Sequence, residues 1–242
     1  MSVAQAVQNR IETMQPGQIF GYRELPGYAA SPAAVIKAVS RLVSEKKLER
    51  FSKGQFYVPK KGLLGNRKPS DRELIRTMLY KDGRLRGYIT GLCLYNQLGL
   101  TPQVPRTVTL AVNGGRQEKD FGTIRVKTIV TRTPVAEENV KLLQYLDALK
   151  DIKIIPDADI SLSLRMMRRY ISELSRAEQT RLLALAQDHY GPQVRALVGM
   201  LFANLGWSVP DRLKQSLNPT TTYKLPLNQD EWPEAREWNI RP

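Results

Sequence analysis

The 242-residue sequence is poor in the side chains that most protein chemistry needs, with one cysteine, Cys93, and one histidine, His189. A single cysteine cannot close an internal disulfide, and without a CxxC pair or a Cys/His cluster no thiolate or imidazole metal site of ordinary spacing can be assembled. There is no phosphate-cradling GxxxxGK followed by Ser or Thr, and Gly114-Gly115 reads as a hairpin turn. His189 stands in DHYG, late in a helical stretch, where a cation complements the helix dipole more economically than it catalyses. Asp157 and Asp159 form a DxD pair between the strand-like KIIP and a helix, the place of an N-cap rather than of a metal ligand. With no nucleophile, acid–base or metal constellation, the expectation is a non-enzyme with no catalytic residue, no metal and no cofactor.

Long apolar runs are also missing. No stretch approaches the roughly 20 apolar residues of a membrane span, and the opening MSVAQAVQNR lacks the apolar core of a secretory signal. A cytoplasmic protein without a membrane partner is expected. Internal repeats and low-complexity tracts are absent, and the length exceeds what one small module needs, so two domains are expected.

Negative charge is scarce in only part of the chain. The net charge is +14. Residues 1–62 carry 10 Lys+Arg against 4 Asp+Glu, residues 63–135 carry 13 against 5, and residues 136–242 carry 14 against 14. A charge serving only solubility would not stop at residue 135. A positive field of this kind favours polyanions, through phosphate contacts that displace condensed counterions.

Residues 31–60 read SPAAVIKAVSRLVSEKKLERFSKGQFYVPK. Ser31 suits an N-cap and Pro32 the first helical position, where its missing N–H would have had no partner. At 100° per residue, Val35, Ile36, Val39, Leu42 and Val43 gather on one side, and Ala33, Lys37, Ser40, Arg41 and Ser44 on the other. The period then changes to alternation: Leu48, Arg50, Gln55 and Tyr57 flank the turn Ser52-Lys53-Gly54, with Phe51, Phe56 and Val58 available to pack inward. Upstream, residues 4–14 form a first helix, and residues 17–25 a short extended piece with a one-turn helix. Helix, strand, helix, helix, hairpin is the order of a winged helix-turn-helix, whose last helix enters the major groove and whose hairpin reaches a neighbouring groove or the phosphates.

The expected DNA-facing residues are Ser31, Ala33, Lys37, Ser40, Arg41 and Ser44 on that helix, Lys53 and Gln55 on the hairpin, and Tyr22 and Arg23 at the one-turn helix. Arg41 and Lys37 lie four apart and can address guanine or phosphate. Tyr22 suits the core equally well, and Tyr57 either packs beneath the hairpin or meets a phosphate. Lys46, Lys47, Arg50, Lys60 and Lys61 add nonspecific attraction.

Further along, PKKGLLGNRKPSD has no apolar period, and residues 63–69 read as a linker, with Ser70 capping a helix through Leu74, Ile75, Met78 and Leu79. Gly87 and Gly91 bracket an extended segment, and Gly99 closes a helix over 92–98. TPQVP cannot continue that helix. Strands are expected at 107–112 and 123–130, helices at 137–149, 160–174, 175–189 and 192–205, and an irregular tail at 220–242. The predicted fold class is α+β: a winged helix-turn-helix domain at 1–62, a linker at 63–69, and a domain at 70–242 that is mixed α/β to about residue 135 and mainly helical beyond. Arg84, Arg86, Arg116 and Arg125 are candidates for a second polyanion-binding surface, and RMMRR at 165–169 for a basic helical one.

The segments IETMQPGQIF, AVIKAVSRLVSEKKLERFSKGQFYVPK and RGYITGLCLYNQLGLTPQVPRTVTLAVNGG resemble the AbiEi-like antitoxins of type IV toxin–antitoxin (abortive-infection, phage-defence) systems, including the related DUF6088 proteins. The resemblance covers about residues 5–135, and GYITG with LGLTPQVP is its more specific part. It implies a winged domain that binds and represses its own promoter, often at inverted repeats, and a C-terminal domain that counteracts a nucleotidyltransferase-like toxin without forming a stable complex with it. By the same resemblance Lys37, Ser40 and Arg41 would read operator bases, Lys53 would anchor the wing, and residues 87–105 would belong to the antitoxin domain. It supplies no catalytic residue. Two rival classes stand beside it: an RNA-directed enzyme or accessory using the four middle arginines, and an adaptor whose neutral helical third docks a protein.

Overall fold

Helix α1 (Val3–Glu12) opens the chain in the computed structural model, which describes residues 2–62 and 65–242, with Lys61 described by its backbone alone. Ser2 caps it, accepting from the Gln5 N–H at 3.2 Å, and the helix buries Val7 and Ile11. Strand β1 (Ile19–Gly21), a one-turn 3-10 helix (Tyr22–Glu24) and helix α2 (Pro32–Ser44) follow. Strands β2 (Glu49–Ser52) and β3 (Gln55–Tyr57) then make a hairpin turning at Lys53-Gly54, where φ of +73° at Gly54 is a conformation that glycine adopts without strain. These strands form an antiparallel sheet in the order β1-β3-β2. Its Phe20 and Phe56 meet Val7, Ile11, Val35, Val39, Leu42 and Leu48 in one core.

Helix α2 is rotated from the expected orientation. Val35, Ala38, Val39 and Leu42 are buried, whereas Ile36 is 40% exposed and Val43 half-buried. Positions 35, 38, 39 and 42 are the i, i+3, i+4, i+7 stripe of an amphipathic helix. Small Ala38 belongs to the core face where α1 and α2 pack together, which turns Ile36 to the exposed side.

The expected linker is partly ordered, since β4 (Lys60–Gly62) pairs with β5 (Gly65–Arg67); Leu63 and Leu64 lie outside the described residues. Helix α3 (Asp71–Leu79), capped by Ser70, follows, and then the small hairpin of β6 (Tyr80–Lys81) and β7 (Arg84–Leu85). Glu73 accepts the Ile19 N–H at 2.7 Å, and Arg76 donates to the Ile19 carbonyl at 2.6 Å. One ion-paired couple on α3 thus satisfies the donor and the acceptor of an edge-strand residue, as a further strand would. The chain accordingly divides into Met1–Leu85 and Arg86–Pro242, after α3 rather than at the expected linker before it.

The second unit begins with β8 (Gly87–Thr90) and the short helix α4 (Gly91–Gln97). Strands β9 (Thr107–Val112), β10 (Glu118–Asp120) and β11 (Arg125–Val130) complete a sheet in the order β10-β11-β9-β8, with β11 parallel to β9 and the other pairs antiparallel. Five helices follow: α5 (Glu137–Lys150), α6 (Ile160–Ser172), α7 (Arg176–His189), α8 (Pro192–Asn204) and α9 (Asp211–Gln215). Every residue of α8 from 196 to 202 is buried, the mark of a central helix. The tail, expected to be irregular, carries two short pieces of regular pairing and one 3-10 helix: β12 (Tyr223–Lys224) pairs with β13 (Ile240–Arg241), and the 3-10 helix (Pro233–Trp238) lays Trp238 on α8 at Gly199. No helix of the described residues is long and apolar enough to cross a membrane.

Candidate nucleic-acid interface

The surface of α2 opposite its buried stripe carries Ala33, Ile36, Lys37, Ser40, Arg41 and Ser44, all exposed. Lys37 has no acidic partner among the described residues. Arg41 reaches forward one turn, its Nε 3.4 Å from Glu45 Oε1, while Lys47 Nζ lies 2.9 Å from Glu45 Oε2. The hydrogen bond from Lys47, aided by the charges of Lys47 and Arg41, holds the Glu45 carboxyl below the usual range. With the Arg41 side chain 60% exposed, this tether is of the surface kind that is worth at most about 1 kcal/mol, and a phosphate or guanine edge can replace it. Ser31 occupies the N-cap position without using its side chain as a cap, and the Ser44 hydroxyl donates to the Ser40 carbonyl at 3.1 Å.

The hairpin presents Lys53 at its turn, exposed and without an acidic partner among the described residues. Ser52 Oγ donates to Gln55 Oε1 at 2.7 Å, occupying that oxygen but not the amide nitrogen. Arg50 lies over the Phe56 ring, 5.8 Å from its centroid, and keeps its charge at the surface. Arg23 is 74% exposed and 3.6 Å from Asp82. Lys46, Lys47 and Lys60 are exposed as well, and the Lys61 side chain lies outside the described residues.

For the two tyrosines that could either pack or meet the backbone, the structure shows packing. Tyr57 is 5% exposed and its hydroxyl donates to Glu49, which also accepts from Asn66 Nδ2 at 2.6 Å. Burial and the adjoining carboxylate push the Tyr57 phenol up to about 12, so it stays a neutral donor to Glu49. Tyr22 is half-buried, its ring stacked on Tyr28 at 6.2 Å and set edgewise to Phe56 at 5.1 Å.

The four middle arginines fall on both sides of the unit boundary. Arg84 lies on β7 in the first unit, and Arg86, Arg116 and Arg125 in the second. Arg116 is exposed and Arg86 half-buried. Arg125 is paired with Glu118 at 3.7 Å and Asp120 at 3.3 Å. The RMMRR cations are likewise engaged: Arg165 with Glu231 at 3.0 Å, Arg168 with Asn204 at 2.6 Å and Arg169 with Glu173 at 3.8 Å. Asp159 caps α6, accepting the Leu162 N–H at 2.6 Å, and Asp157 accepts from Gln103 at 2.6 Å. His189 is exposed in the last turn of α7.

Sequence reasoning missed Ile36 as an exposed residue of this surface, although the 35/38/39/42 stripe carried the signal. It also missed the buried carboxylate Asp147, which collects hydroxyls from β8 and from Tyr190, the residue just after α7, and has no local sequence mark.

Fold and surface together define a two-unit α+β protein whose first unit presents a basic helix beside a basic hairpin. The chain belongs to DUF6088, described as a family of unknown function, whose model matches residues 6–173. No curated protein matches the sequence. Among solved structures, the fold is similar to that of the RV2827C protein from Mycobacterium tuberculosis, with 14% identity, a TM-score of 0.52, and coverage of 98% of this chain and 90% of that one.

Proposed function

We propose that the chain is a winged helix-turn-helix protein that binds duplex DNA at its own promoter and represses it, and that it serves as the antitoxin of a type IV toxin–antitoxin pair. In this reading it acts in the cytoplasm by binding rather than by catalysis, and its second unit opposes a nucleotidyltransferase-like toxin. The supporting observation is the exposed face of α2, with Lys37 and Arg41 beside Lys53 at the hairpin turn, in the part of the chain that holds the whole positive excess. The helix would enter the major groove, where Arg41 and Lys37 address base edges, and the hairpin would set Lys53 at the backbone. The AbiEi resemblance supports the antitoxin half. The RNA-directed rival loses support from the pairing of Arg125 with Glu118 and Asp120.

Fluorescence anisotropy with the upstream duplex and an unrelated duplex, across a salt series, tests the DNA half. Arg41→Ala is expected to lose about 1–3 kcal/mol on the upstream site and far less on the unrelated duplex, as a bidentate base contact would. Lys53→Ala should weaken both duplexes alike and reduce the salt slope by about one unit or less. Equal affinities for the two duplexes in the wild type would reject promoter recognition. The antitoxin half is tested by expressing the adjacent nucleotidyltransferase-like reading frame with and without this chain; growth arrest that the chain does not relieve would reject it.

A further inference from the structure

The second unit contains an open pocket of about 450 Å3 where the end of the β9–β11 sheet is left uncovered beside α4 and the last turn of α5. Strand alternation builds its wall. Thr109 faces Lys127 across the parallel β9–β11 pair, and Thr107 and Ile129, two residues along their strands, point to the same side. Arg106 and Lys150 close the rim.

Three cations therefore surround one cavity. Arg106 and Lys127 are exposed and have no acidic partner among the described residues. The one carboxylate among the lining residues, Asp151, is already engaged: it accepts the Tyr95 hydroxyl at 2.5 Å and lies 3.9 Å from Lys150 Nζ. Lys150 is also held 3.5 Å from the buried Asp147, which positions its ammonium at the rim. Like charges converging without enough acid to neutralise them mark a place for an anion. Thr107 and Thr109 add hydroxyl donors, and Leu92, Pro105 and Ile129 add apolar wall, so the complement is an anion carrying an uncharged, partly apolar body. The volume lies within the roughly 300–1,000 Å3 typical of small-molecule sites.

We propose that this pocket binds a small phosphate monoester of up to nucleoside monophosphate size, with its phosphate between Arg106 and Lys127 and its organic part against Ile129. The site lies wholly within Arg86–Pro242 and does not depend on DNA binding by the first unit.

Calorimetric titration of the full chain with inorganic phosphate, AMP and adenosine tests it. AMP should bind saturably with a Kd of about 1 mM or below, inorganic phosphate more weakly and adenosine not measurably. Lys127→Gln and Arg106→Gln should each weaken AMP about tenfold or more, the loss of one charge-assisted hydrogen bond. Both side chains are exposed, so unfolding midpoints and duplex affinity should stay at the wild-type values. Affinity should fall as pH drops through about 6, where the monoester takes up its second proton. No saturable AMP binding up to about 10 mM, equal binding of adenosine, or AMP affinity untouched by both substitutions would overturn the proposal. Displacement of AMP by a short duplex would overturn it in favour of a nucleic-acid surface.

Discussion

Gly199→Ala is expected to destabilise the second unit by about 2–4 kcal/mol, although glycine to alanine in a helix interior ordinarily stabilises by about 1 kcal/mol. The reason is the Trp238 ring. A Cβ on residue 199 would stand 2.2, 2.3 and 2.4 Å from three of its ring carbons, far inside van der Waals contact. The ring is 4% exposed and α8 is buried all round, so neither side can yield without opening the core. The chain therefore either shifts its 3-10 helix or expels the tryptophan, and expulsion forfeits the burial of a large aromatic. At about 2–4 °C per kcal/mol for a domain of this size, thermal unfolding followed by tryptophan fluorescence should show a midpoint lower by roughly 4–16 °C. Pairing the change with Trp238→Leu should recover part of the loss, since two residues in contact do not add. An unchanged or raised midpoint for the single variant would show that the tail does not dock on α8 in solution.

Asp147→Ala should cost about 3–5 kcal/mol, because it strands several groups at once. Oδ2 of Asp147 accepts Thr90 at 2.7 Å and Tyr88 at 3.2 Å, and Oδ1 accepts Tyr190 at 3.0 Å with Lys150 Nζ at 3.5 Å. Only Lys150 of these is well exposed. Burial, reinforced by the nearby Asp147 charge, pushes the Tyr88 and Tyr190 phenols well above their ordinary range, so both remain donors at any working pH. Removing the carboxylate takes the acceptor of the buried Thr90 and Tyr88 hydroxyls and leaves Tyr190 only the longer bond to the Leu143 carbonyl at 3.3 Å. Asp147→Asn keeps one acceptor oxygen but turns an amide donor towards donors, so an intermediate loss is expected. Urea unfolding monitored by near-UV circular dichroism reads both variants; a loss below about 1 kcal/mol for the alanine form would mean that water replaces the carboxylate.

Local pattern made several elements legible in the sequence. TVTLAV alternates and ends at Asn113-Gly114, and β9 occupies residues 107–112 as expected. The apolar stripes after residue 137 gave four helices whose bounds shift by no more than two residues. Long-range contacts account for what was missed. The tail from residue 220 has three prolines and no period, and it is fixed in place because Trp232 and Trp238 are buried in the core that the helices of the second unit build. The unit boundary moved past α3 because Glu73 and Arg76 bind a strand more than fifty residues upstream, which no local composition reveals.

The candidate interface was legible to the same degree. The spacing of Lys37 and Arg41 and the Lys53-Gly54 turn located its exposed cations. The fate of Tyr57 was not legible, because alternation cannot say that Glu49 across the hairpin will take its hydroxyl. Ile36 was placed on the wrong side by counting hydrophobic residues instead of following the narrower stripe that includes Ala38.

The most direct measurement is an amide chemical-shift titration of the full 27.5 kDa chain, isotopically labelled, with the duplex lying upstream of its own reading frame. If α2 and the hairpin grip DNA, the perturbed amides will cluster at Ala33, Lys37, Ser40 and Arg41 and at Lys53 and Gly54, and the Arg41→Ala and Lys53→Ala forms will show smaller shifts at the same duplex concentration. Perturbations confined to residues beyond Arg86, or none at saturating duplex, would contradict it.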